Sequence, residues 1–89
     1  MTYNPIGEEG ARLIAGSENF KNLKLLDLYE TNLGDNGAMA LAESKYLSKL
    51  ETLILIHNDI SDDVEELVKN SKNLPNLNKV IFKPAKAEQ

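Results

Sequence analysis

The sequence predicts an α/β solenoid of about three 27-residue repeats, with a parallel inner sheet and helices on the convex side. Three observations carry this. Leu50, Leu53, Leu55, Asn58 and Ile60 recur 27 residues earlier as Leu23, Leu26, Leu28, Thr31 and Leu33, and 27 residues later as Leu77, Val80, Phe82 and then Ala85. A fixed period in this range marks stacked supersecondary units. Gly10, Leu13, Ile14 and Ser17 hold the i, i+3, i+4, i+7 spacing of one helix face, and the same offsets select Gly37, Ala40, Leu41 and Ser44, then Val64, Leu67, Val68 and Ser71. Finally, strands stack about 4.8 Å apart whereas packed helices need about 8–10 Å, so the sheet must line the inside of a curve.

In this register the chain opens part-way through a unit. Residues 1–3 are expected as a short edge strand, and 1–19 as an incomplete first repeat. A helix is predicted from Glu8 to about Ser17, with counterparts one and two periods on. Their starts, Gly7-Glu8-Glu9, Gly34-Asp35-Asn36 and Ser61-Asp62-Asp63, offer caps or carboxylates to free N–H groups and the helix dipole. Apolar anchors at Phe20, Leu47 and Leu74 follow, the last before Pro75, and then short strands around Leu26–Leu28, Leu53–Leu55 and Val80–Phe82. The domain is expected over 1–83. The polar segment 84–89 reads as a C-terminal tail.

Composition narrows the function. A hydrophobic fraction of 42 % and a charged fraction of 27 % are those of a folded globular chain, and 89 residues allow one domain. A net charge of −4 repels a phosphate backbone, so nucleic acid is not an expected partner. The absence of cysteine excludes disulfides and thiolate chemistry and fits a reducing, cytoplasmic setting. No apolar run approaches the roughly 18 residues of a membrane span, so no membrane partner is expected.

Leu23-x-x-Leu26-x-Leu28-x-x-Thr31-x-Leu33 and Leu50-x-x-Leu53-x-Leu55-x-x-Asn58-x-Ile60 resemble leucine-rich repeats. The run from Leu33 to Ala42, Leu-Gly-Asp-Asn-Gly-Ala-Met-Ala-Leu-Ala, is similar to the long, helix-bearing ribonuclease-inhibitor type. The first unit departs from the family at Thr31, where it has asparagine, and the last at Lys83-Pro84-Ala85. The resemblance implies a non-catalytic binding scaffold. Independently of it, a residue buried at the bend after each strand must satisfy backbone groups that have left the sheet, which asparagine does compactly. Asn4, Thr31 and Asn58 are therefore expected to form a polar ladder.

Candidate chemistry is sparse. His57 stands beside the position of Glu30 one period earlier, and without a nucleophile or metal constellation the two read as a surface pair, not a catalytic one. Asp59, Asp62, Asp63, Glu65 and Glu66 lack the alternating spacing of a calcium loop and read as helix-start acids and a solvated face. No cofactor or metal is expected. The residues alternating with the core leucines are more informative. They are Leu25, Asp27 and Tyr29, then Thr52, Ile54 and Ile56, then Lys79, Ile81 and Lys83. A solvent-facing sheet surface should be mostly polar, yet Leu25, Tyr29, Ile54, Ile56 and Ile81 are apolar, with Asp27, Glu30, His57, Lys79 and Lys83 around them. Such a patch marks an interaction site for a protein or peptide. The second expectation is a structural or self-assembling piece of a larger array, a homodimer included, in which another copy or further repeats cover the N-terminal end.

Overall fold

The computed structural model describes residues 6–29 and 31–83. The expected edge strand at 1–3, Asn4, Glu30 and the tail 84–89 lie outside them. In chain order the elements are α1 (Gly7–Ala15), a 3-10 turn (Glu18–Phe20), β1 (Leu25–Asp27), α2 (Gly34–Ala42), β2 (Thr52–Ile54), α3 (Asp62–Lys69) and β3 (Lys79–Ile81). The strands are parallel in the order β1-β2-β3, with Leu25 beside Thr52 and Thr52 beside Lys79. Each pairing thus joins positions one period apart.

The core explains why these residues take these shapes. Leu26, Leu28, Leu53 and Leu55 point from the sheet toward Ala11, Ile14, Ala38, Leu41, Val64 and Val68 of the helices. Leu33, Leu47, Leu50 and Leu74 close the connections, and all are buried. Because only one face of each strand is committed to this core, a three-residue strand suffices. The strands begin one residue before the sequence places them, since Thr52 N donates to Lys24 O and Lys79 N to Glu51 O. They end early because the backbone then bends, with Asn32, His57 and Asp59 all at positive φ.

The helix starts carry the expected first-turn acids, Glu8 and Glu9, Asp35, and Asp62 and Asp63. Ser61 alone caps with its side chain, accepting from Val64 N. Ile6 and Leu33 occupy the other two cap positions without a side-chain bond. There the turn is made by Gly7 (φ 68°) and Gly34 (φ 69°), whose N–H groups donate to Thr31 O and Asn58 O of the next strand–helix connection. A side chain at such φ is sterically costly, so glycine takes the place of a cap.

Two residues assigned to the packing face of the helices are exposed instead: Leu13 at 69 % and Leu67 at 54 %. Leu67 faces an open groove beside Met39 and Ala42 at the end of α2. Leu13 occupies the same position on α1, where no described helix precedes it. Phe20, the first of the three anchors, is also partly exposed, whereas Leu47 and Leu74 are buried. On the far side of the stack the small residues change character. Ala11 packs toward α2, where a Cβ on Gly37 would lie 3.4 Å from it. At the two later equivalents of Ala11 the chain carries Ala38, buried, and Glu65. Ala15 and Ala42 are likewise followed by Lys69, whose Nζ lies 5.8 Å from the Phe82 ring centroid. No helix among the described residues is long and apolar enough to cross a membrane.

Candidate interaction face

Two polar systems hold the adjacent connections in register. At the carboxyl ends of the strands, Asn58 is 2 % exposed. Its Oδ1 accepts from Thr31 N (2.9 Å) and Leu33 N (3.1 Å), and its Nδ2 donates to Leu28 O (2.6 Å) and Ile56 O (3.3 Å). Thr31 Oγ1 lies 3.0 Å from Leu28 O and 3.1 Å from Asn58 Oδ1, so its one proton serves either acceptor. Thr31 N, Leu33 N and Leu28 O around the bend after β1 are thereby answered by one amide. Asp35 adds a link at the next connection, accepting from Ser61 N at 2.7 Å.

At the opposite edge a second set was not anticipated from sequence. Ser44 Oγ donates to Ala15 O (2.6 Å) and accepts from Tyr46 N (3.1 Å), and Ser71 Oγ donates to Ala42 O and accepts from Asn73 N. Ser17 accepts from Asn19 N in the same way. Ser44 and Ser71 each tie the final carbonyl of one helix to the loop of the next. The available signal was the strict recurrence of Ser17, Ser44 and Ser71, which sequence reading placed on a helix face; they lie just beyond the helix ends.

The sheet face turned away from the helices is ordered by the strand pairing. One row is Leu25, Thr52 and Lys79, and the next is Asp27, Ile54 and Ile81. Continuing past the strands come Tyr29, Ile56 and Lys83. Leu25 is 54 % exposed, and Lys79 and Lys83 are exposed, while Thr52, Asp27, Ile54, Ile81, Tyr29 and Ile56 are half-buried. The apolar side chains thus form a partly sheltered floor and not a fully exposed patch, because neighbouring strands and the following bends shade one another. Asp27 Oδ1 accepts from Tyr29 N at 3.2 Å, which fixes the carboxylate at the edge of this floor. Tyr29 and His57 meet edge to face across one strand spacing, with ring centroids 5.4 Å apart. His57 is exposed. Glu30, the partner assigned to it from sequence, lies outside the described residues.

Charge varies across this face in one direction. The first strand contributes Asp27, the middle strand only Thr52, Ile54 and Ile56, and the last Lys79 and Lys83. Among the described residues the ion pairs are Arg12–Glu8 and Lys21–Glu18, both remote from the face. No group of three or more His, Asp or Glu placed to hold a metal ion occurs among the described residues.

No curated protein matches the chain. A family model described as a leucine-rich repeat matches residues 21–42, the stretch that contains β1 and α2. The parallel three-stranded sheet and its helices are compatible with a leucine-rich repeat fold.

Proposed function

We propose that the chain is a short three-unit solenoid of the ribonuclease-inhibitor-like repeat type, and that the concave sheet face takes a protein or peptide partner. Leucine-rich repeat domains generally mediate protein–protein interaction and are generally not enzymes, and this reading extends that generality to named residues. The observation that carries it is the apolar floor outside the core, Leu25, Tyr29, Ile54, Ile56 and Ile81, bordered by Asp27, Lys79 and Lys83. An aromatic and β-branched floor with a charged border is the anatomy of a recognition surface. A cytoplasmic setting belongs to the same proposal and is supported by the lack of cysteine.

The test uses peptides selected on the parent domain from a random library. Changing both Ile54→Lys and Ile56→Lys is expected to abolish their binding while leaving the melting temperature within a few degrees, since neither side chain belongs to the buried core. A pool that binds parent and double variant equally would place recognition elsewhere.

Self-association is the second reading, and Leu13 favours it: 69 % exposed on α1, at the position that in α2 is the half-buried Ala40. Light scattering over a tenfold range of protein concentration separates the two. A mass that rises with concentration in the parent and stays monomeric in Leu13→Lys supports it; a constant monomer mass in both rejects it.

A further inference from the structure

The floor just described is polar in direction as well as apolar, and this constrains what lies on it. Across the row Asp27–Ile54–Ile81 the negative group and the strand bearing Lys79 and Lys83 are two strand spacings apart, or roughly 10 Å. That distance is too short for an extended peptide crossing the strands to present many residues, because alternate side chains on one face recur only every ~7 Å. It matches a helix laid across the strands. At about 1.5 Å per residue, positions i and i+7 are about 10.5 Å apart on one face, with i+3 and i+4 between them.

We propose that the partner presents an amphipathic helix running perpendicular to the strands. A basic residue at i faces Asp27, apolar residues at i+3 and i+4 rest on Ile54 and Ile56, and an acidic residue at i+7 faces Lys79 and Lys83. This rests on the concave-face reading and specifies its occupant. The middle strand offers no charge to compete, so the apolar step is flanked by complementary charge on both sides. Opposite charges at the two borders set register and suppress wrong partners more than they add affinity. The hydrogen bond from Tyr29 N holds the Asp27 carboxylate in place at its border. With the three described strands to contact, binding is of the weak, transient class.

The probes are three end-blocked helical peptides, stapled on the far face and matched in helicity, with Leu at i+3 and i+4. They differ only at i and i+7: Lys and Glu, Lys and Lys, or Glu and Glu. Titrations into isotopically labelled protein at low salt, followed by amide NMR, give affinity and location together. The Lys/Glu peptide is expected to bind the parent roughly fivefold more tightly than either uniform peptide, the scale of one exposed charge pair exchanged for a like-charge contact. In D27N, which keeps an acceptor for Tyr29 N, its advantage over the Glu/Glu peptide disappears. In the Lys79→Gln/Lys83→Gln double variant its advantage over the Lys/Lys peptide disappears. Three equal affinities with shifts at Ile54 and Ile56 would overturn the charge polarity while leaving the face a binding surface. Shifts confined to the helices, or none with any peptide, would overturn the helix proposal, and the library-selected peptides judge the face by themselves.

Discussion

Replacing Asn58 by Leu is expected to lower the melting temperature by more than about 10 °C. The two side chains have similar size, so the effect is one of stranded polar groups and not of lost volume. Thr31 N and Leu33 N lose their acceptor, and Leu28 O and Ile56 O lose a donor, in a site closed to water. Each buried group left unsatisfied costs about 1–3 kcal/mol. Two such groups bring about 2–6 kcal/mol, and about 4–8 °C accompanies each kcal/mol in a domain of this size. Thr31→Val provides the internal comparison. Its loss is about 1 kcal/mol, because Asn58 continues to serve both Thr31 N and Leu28 O. Thermal unfolding followed by circular dichroism reads both. If Asn58→Leu melts within a degree or two of the parent, the amide is not what holds the bend.

Leu53→Ala should cost about 2–5 kcal/mol, a large part of the total for a small domain. Leu53 is fully buried on the central strand, with β1 and β3 paired on either side and the helices above it. The surroundings cannot collapse into the space because both flanking strands are held by their backbone pairing with β2. Leu25→Ala removes the same atoms from a neighbouring strand but from the opposite face, where the side chain is largely in water, and is expected to change stability by less than about 0.5 kcal/mol. Urea denaturation with an unchanged slope reports both as shifts of midpoint. Equal losses from the two substitutions would contradict the division of the sheet into a buried and an open face.

How much of this is legible in sequence depends on whether a residue's role repeats. Leu26, Leu28, Leu53 and Leu55 are visible as core because burial on one side of a strand imposes an alternating pattern, and stacking imposes the period. Helix positions were read less well. Leu13 and Leu67 share the spacing of the packed face yet are exposed, because whether that face is covered depends on the neighbouring helix and not on the helix itself. Gly7 and Gly34 are readable from sequence as turn positions, and they make the turn through backbone conformation where no side chain caps the helix. Ser44 and Ser71 find their acceptors 29 residues back, beyond the reach of any local capping rule. On the candidate face the alternation of Leu25, Asp27, Thr52, Ile54, Lys79 and Ile81 follows from strand geometry, whereas the partial sheltering of Ile54 and Ile81 follows from the bends. Asn4 and Glu30 were assigned roles by register alone, and both lie outside the described residues.

The change from Ala11 and Ala38 to Glu65, and from Ala15 and Ala42 to Lys69, bears on polymer growth. A sheet of parallel strands is open to endless lengthening, one copy adding to the next as a filament. A new copy stacked against α3 would have to dehydrate Glu65 and Lys69 where the preceding helices present only methyl groups, at a cost of several kcal/mol per ion left unpaired. Lys69 would also have to leave the Phe82 ring. Lengthening in that direction is therefore disfavoured. An assembly built through the α1 side must join like surface to like, and such a contact is complete at two copies.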